Sequence, residues 1–552
     1  MANRNASSEG RRPAAAAKNA ARPLQLCDED GVFLSIETAA APSCIAGLTI
    51  VDAAAAPGFG LERYLEILGE RTRMVERFRW RLMPTPLGVD NAYWVEAEDF
   101  EVADHVKAIA LPAPGDRQTL ARIVGLLHGL PLDPNRPLWE CWWIEGLEGG
   151  RVATLLKFHH CLMDGESGMG LAQILLDLTS EPARFDLRPN ETEERPPRAP
   201  TPAEMLRSAV RNAARRPARI ALHARRALRD GFTRLAAARG DRPEGAPSVP
   251  TTPFNARLSG TRAFAYATLP LGPIRDAAKH FDVKVNDVLL ELLASTLRRV
   301  LARESRLPSR SIVALCPVSL RRDGDRSAGN RLSSMPVSLA TDLADPVARL
   351  LAIHRSSKLA KARLEEGAFE VMTALTECFL PGALRLATRA AHAVPSLLPL
   401  PGNLVFSNVR GLGVPLYLAG ARVEVIHPMS MLQVGNGMNV TAVSHDDQVD
   451  FGFLVDAQLV PDPWGYADAL ERALEELTTA VEGRLAAEGR PVRSRSTGSG
   501  VAMDAASSSD SSSDSSSDSS FEGETETSEP IDLMLIMSGL THIRAPSRRR
   551  RS

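Results

Sequence analysis

Two adjacent histidines, His159 and His160, are followed by Cys161, Leu162, Met163, Asp164 and Gly165. Histidine is the side chain whose ordinary pKa lets it take a proton from an alcohol near neutral pH and return it to a departing thiolate. That chemistry is acyl transfer from a thioester to a hydroxyl. One histidine suffices for both transfers, and we expect His160 to be the base while His159 shapes the loop and assists less directly. Asp164 stands four residues further on, across a turn that Gly165 permits, where it would orient the loop by an ion pair or hydrogen bonds rather than relay a proton. Cys161 offers a nucleophile as the competing reading, yet neighbours on an extended turn point apart and nothing else in the sequence supports a covalent intermediate. A metal site is the other alternative for paired histidines. Zinc would need further ligands at helical or knuckle spacing, and no HExxH or clustered Cys/His partner lies nearby, so no metal is expected.

The elements that must position these side chains are readable on either side. Val152, Thr154, Leu156 and Phe158 alternate with Ala153, Leu155 and Lys157 after Gly149-Gly150, which predicts a strand. Beyond Gly168, the residues Leu171, Ile174, Leu175 and Leu178 fall at helical spacing. The histidines therefore sit where a strand hands over to a helix, a junction that exposes functional side chains.

A chain of 552 residues, 44% hydrophobic, can bury more than one core, because single cores stop growing near about 250–300 residues. The formal net charge of -2 gives no global attraction to nucleic acid, and none is expected as a partner. Six scattered cysteines without a CxxC pair, and no apolar secretory segment at the start, point to a reducing cytoplasm. No apolar run approaches the roughly 20 residues needed to cross a bilayer, so any membrane contact is expected to be peripheral. Residues 1-23 read as a disordered basic tail and 487-552 as a Ser/Asp-rich disordered tail. Between them, 24-184 and 257-486 read as two halves joined by a linker, 185-256. Within that linker Ala203 to Arg239 carries ten arginines, with Arg207, Arg211, Arg215 and Arg219 spaced by four. Such a helix could lie on an anionic membrane or simply cross over with its arginines solvated, and Pro217 is expected to break or kink it.

At the histidine motif the sequence resembles the HHxxxDG acyltransferases of the chloramphenicol acetyltransferase-like fold, and within them the bacterial wax ester synthase/diacylglycerol acyltransferase family. Further blocks match in order: Asp30, Phe33-Leu34, Glu37, Pro42 and Gly47-Leu48 at the start, then Pro137-Leu138-Trp139. Asn286-Asp287, Pro317-Val318-Ser319-Leu320-Arg321, Gly329-Asn330, Ser407-Asn408-Val409, Pro415-Leu416-Tyr417 and Gly420-Ala421 follow. Arg410 stands where the family usually has proline, and His445-Asp446-Asp447 where it has a tyrosine followed by glycine, which puts substrate-side contacts in doubt. Read from the residues alone, Trp139, Cys141 and Trp143 form one buried face of a strand, and Asn286 is the N-cap of a helix.

The resemblance implies an α/β fold with mixed sheets, in which two acetyltransferase-like halves surround a central tunnel with His160 near its middle. Asn286 and Ser407 would line the far wall and could donate to a developing oxyanion. It also implies acyl-CoA as co-substrate without a resident cofactor, and diacylglycerol or a long-chain fatty alcohol as acceptor. The enzyme would be cytoplasmic, peripheral on the inner face of the plasma membrane or on lipid inclusions. Competing readings are an enzyme acting on another alcohol or on carrier-bound thioesters, and a non-catalytic lipid-binding protein.

Overall fold

A computed structural model describes residues 22–162, 174–183, 197–237, 249–319, 332–364, 380–393 and 402–487. Asp164, Gly165, Cys378, Arg321 and the pair Gly329-Asn330 lie outside the described residues, as do both tails.

The first half opens with β1 (Leu24–Gln25) and α1 (Asp28–Ile36), followed by β2 (Cys44–Asp52) and α2 (Leu61–Thr72). Acidic Asp28, Glu29 and Asp30 fill the first turn of α1, where the helix dipole favours them. Next come β3 (Trp80–Met83), β4 (Tyr93–Glu96), β5 (Val106–Ala110), α3 (Arg117–Gly129), β6 (Trp139–Glu145) and β7 (Val152–His159). The alternation read at residues 152 to 158 is thus a strand that ends on His159. A long helix, α4 (Pro202–Ala237), leads across. It runs on through Pro217, although proline removes one backbone donor and crowds the preceding turn, so the expected break is not found.

The second half comprises β8 (Arg262–Pro270), α5 (Leu271–His280), α6 (Val285–Arg303), β9 (Val313–Ser319), β10 (Leu332–Ser338), α7 (Pro346–Arg363) and α8 (Pro381–Ala393). It finishes with β11 (Leu404–Arg410), β12 (Tyr417–Leu418), β13 (Ala421–Met429), β14 (Met438–His445), β15 (Gln448–Asp456) and α9 (Trp464–Ala487).

The sheets do not respect the boundary between the halves. One six-stranded sheet has the order β10-β9-β11-β14-β15-β8, all from the second half. The other has the order β12-β13-β2-β7-β6-β5, so a strand pair from the second half completes the first half's sheet. There β13 runs antiparallel to β2, with His427 opposite Leu48 and Met429 opposite Ala46. A small third sheet, β1-β4-β3, covers the first half.

Three apolar cores follow from this layout. Trp139, Cys141, Trp143 and Phe158 point from one face of the first sheet towards Tyr64 and Leu68 of α2 and towards Trp80 and Trp94 of the small sheet. The other face, with Leu48, Ile50, Ile144 and Leu155, packs on Leu120, Ala121 and Val124 of α3 and on Phe264 and Leu454 of the second half. That second core is the seam between the halves. The third lies between the second sheet and α5, α6, α7 and α9. Two glycines set the closeness of the seam. A Cβ on Gly125 of α3 would sit 3.1 Å from the Arg262 carbonyl oxygen of β8. On Gly452 of β15 it would sit 1.9 Å from the Pro428 carbonyl oxygen of β13, so no side chain fits there.

Candidate active site

His159 closes β7 opposite Cys44 of β2, and its backbone N–H donates to the Leu138 carbonyl at 2.9 Å. Its ring turns inward. Nδ1 accepts the Cys161 N–H at 3.1 Å, which leaves the proton of a neutral ring on Nε2, 3.5 Å from Glu37 Oε2. At that separation the Nε2–H points at the carboxylate across a contact long for a hydrogen bond. Burial pushes the Glu37 carboxyl up, but the contact with His159 and the Ser43 N–H outweigh it and hold the carboxyl below its ordinary value.

His160 is set differently. Its N–H donates to the Ser43 carbonyl at 2.8 Å, and its imidazole stacks on Phe33, with centroids 3.9 Å apart and planes 7° from parallel. Phe33 is a residue of α1, so the first helix of the fold sets the plane of the proposed base. The turn that follows is anchored from below. Leu162 N–H closes it onto the His159 carbonyl at 3.0 Å, and the Leu162 carbonyl accepts from Arg77 at 2.7 Å. The same guanidinium contacts Asp30 at 3.4 Å. Cys161 is wholly buried, and burial together with Asp30 pushes its thiol well above the ordinary value. A thiol so held stays protonated and is no nucleophile.

Ser43 is the residue that sequence reasoning passed over. Its hydroxyl donates to the Phe33 carbonyl at 2.8 Å, its N–H to Glu37 at 3.2 Å, and its carbonyl accepts from His160. One buried serine thereby joins both histidines' supports. The only signal in the sequence is a small polar residue after Pro42, immediately before a strand. Pro137-Leu138-Trp139 also gains a role beyond packing. Trp139 stacks on Phe78 and His105 and donates from Nε1 to the Phe78 carbonyl at 2.8 Å, which fixes the strand whose Leu138 carbonyl holds His159.

On the second half, Asn286 is not the N-cap. Lys284 caps α6, and Asp287 at the third helical position accepts the Lys284 N–H at 3.1 Å, so the helix starts two residues earlier than the sequence implies. Asp287 also meets His354 Nδ1 at 2.8 Å. Asn286 instead accepts a hydrogen bond from Asn408 of β11 at 3.2 Å. Leu404 and Phe406 of β11 point into the helix-covered core, and strand alternation sends Asn408 the same way. Ser407 points to the opposite face, the one that packs towards the first half. The structure thus separates the two residues that the sequence grouped. Among the contacts of the described residues, neither meets His160.

Two family models match in order: the wax ester synthase/diacylglycerol acyltransferase catalytic domain over residues 26–289 and the corresponding C-terminal domain over 328–478. A Mycobacterium tuberculosis protein assigned by name to the diacylglycerol O-acyltransferases is 33% identical over 457 residues, 81% of this chain and 89% of that protein. The chain belongs to the wax ester synthase/diacylglycerol acyltransferase family. The solved structure of the wax ester synthase/diacylglycerol acyltransferase from Marinobacter aquaeolei VT8 superposes with a TM-score of 0.56 at 26% identity, covering 83% of this chain and 99% of that one. The first condensation domain of the calcium-dependent antibiotic synthetase, at 16% identity, has a TM-score of 0.51 over 83% of this chain and 96% of its own, a likeness of fold. As a member of its family this chain is an acyltransferase with an α/β, acetyltransferase-like architecture.

Proposed function

We propose that the chain transfers a long-chain fatty acyl group from acyl-CoA to diacylglycerol, to a fatty alcohol, or to both, with His160 as general base. The observation that carries this is the setting of His160. Its backbone is pinned by Ser43 and its ring plane is set by Phe33, while the neighbouring His159 is used up in holding the turn. His160 takes the proton from the acceptor hydroxyl as the oxygen attacks the thioester carbonyl. The C–S bond then breaks, and the same proton passes to the leaving CoA sulfur. No covalent acyl-enzyme and no resident cofactor enter the scheme. The loop-supporting role expected of Asp164 and Gly165, which lie outside the described residues, is kept in this proposal, and of Asn286 and Ser407 we favour Ser407, on the face of its sheet nearer the first half, to meet a developing oxyanion.

An acceptor of this kind partitions into lipid, and no described helix is long and apolar enough to cross a membrane. We propose a peripheral place on the inner, cytoplasmic face of the plasma membrane or on lipid inclusions, a reading that the lipid character of the acceptor supports. One long-chain acyl-CoA, assayed for CoA-thiol release against diacylglycerol, a fatty alcohol and unrelated alcohols, tests the reading. Release that requires one of the first two acceptors supports it; release only with other alcohols, or with none, overturns it.

A further inference from the structure

Soluble proteins rarely gather large apolar side chains in the open, and three neighbouring segments of this chain do so. Helix α4 is bound to the body by Met205 and Ala209, by Asn212, which donates to Asp90 at 2.8 Å, and by Arg216, 3.6 Å from Asp90. One step around the helix, away from that face, Leu206 is 55% exposed and Val210 62%. A further step around stand the exposed Arg207, Arg211 and Arg215. The helix therefore has three sectors: one packed, one apolar and open, one basic and open.

Against α4 rests the turn at residues 86–88, whose tip, Leu87, is 98% exposed at a φ of 58°. A leucine held in the left-handed region with its side chain in water gains nothing from the fold. On the far side of that turn lies α8, where a Cβ on Gly382 would be 3.7 Å from the Gly88 carbonyl oxygen. Leu386 of α8 is 69% exposed, with Arg385 and Arg389 also open and no acidic residue on the helix. Helix α8 in turn packs on α1, the helix whose Phe33 carries His160.

We propose that α4, the 86–88 turn and α8 form one docking face for an anionic lipid bilayer, which Leu87, Leu206, Val210 and Leu386 enter while the arginines meet headgroup phosphates. This rests on the reading that the acceptor is a lipid, and adds which side of the enzyme faces it. The charge decides the occupant. A second copy of the chain would bring arginine rows against each other, whereas an anionic surface neutralises them, even though the whole chain carries a net charge of only -2.

The test uses the full chain and vesicles of phosphatidylglycerol with phosphatidylcholine, compared with phosphatidylcholine alone. In sedimentation, Leu87→Asn/Val210→Ser/Leu386→Ser should weaken partitioning onto the anionic vesicles about tenfold or more, since each removes an inserting apolar group. Arg207→Gln/Arg211→Gln/Arg215→Gln should weaken it by a similar factor and flatten its dependence on salt. Turnover of a short-chain acyl-CoA with a water-soluble alcohol should stay at the parent level in both variants. Parent-like partitioning of both variants refutes the face while leaving the lipid acceptor standing; no binding by the parent refutes both the face and the peripheral placement. A shift from dimer to monomer in the leucine variant would assign the patch to a second copy and also overturn the proposal.

Discussion

The end of β7 and the start of α6 are both short polar stations backed by a carboxylate and a histidine, and they are built for opposite ends. At β7, Glu37 faces His159, and that pair together with Ser43 fixes the turn on which the next side chain, His160, lies stacked against Phe33. At α6, Asp287 takes both the Lys284 N–H and His354, and Asn286 is committed to Asn408. The first arrangement spends one histidine to present another. The second spends every polar group on fastening a helix start to a strand. Similar residue types therefore do not signal similar roles; which partner each side chain has already taken does.

The contrast can be broken most sharply at His160. His160→Ala should lower kcat by about 10²- to 10⁴-fold in a protein that still folds and unfolds cooperatively, as expected for loss of a proton-transfer group. Near-normal turnover in the purified variant would remove the distinction between the stations.

Smaller, and acid-dependent, is the effect expected at Glu37. Its carboxyl is held below the ordinary value in the folded state, so it contributes stability that is present above the unfolded value of about 4.5 and is lost as pH falls through the folded one. Glu37→Gln should therefore flatten the acid limb of the urea midpoint plotted against pH, with the two proteins converging at the lowest pH. A parallel pair of curves would mean that neither His159 nor the Ser43 N–H stabilises the Glu37 carboxylate.

At the second station the effect should be the least. Asn408→Ala removes one exposed hydrogen bond and is expected to cost about 1 kcal/mol or less in urea unfolding, with kcat within about threefold of the parent. A loss of activity as large as that of His160→Ala would show that Asn286 and Asn408 act on the reaction and are not merely fasteners.

What the sequence disclosed follows from what is local. The strand over residues 152 to 158 and the buried face of Trp139, Cys141 and Trp143 carry a period of two and were readable from it. The cap of α6 was misplaced because asparagine is a good cap in general, while here Asp287 reaches back to Lys284. Helix α4 passes Pro217 where propensity alone predicts a stop. Ser43 could not be found by residue type, because its three bonds come from Phe33, Glu37 and His160, which meet only after folding. Nor does any local pattern announce that β13 belongs beside β2, since strand partners are chosen by tertiary packing.

That borrowed strand has a consequence for how the protein is made. As the chain leaves the ribosome, β2 has β7 for a neighbour early, but its other edge stays bare until residues 421 to 429 emerge, near the end of the fold. An exposed edge in the middle of a future sheet invites pairing with other nascent chains. The first half is therefore no self-sufficient folding unit. Truncation anywhere before β12 leaves the β2 edge of the histidine-bearing sheet unpaired, an edge that only the last quarter of the chain can cover.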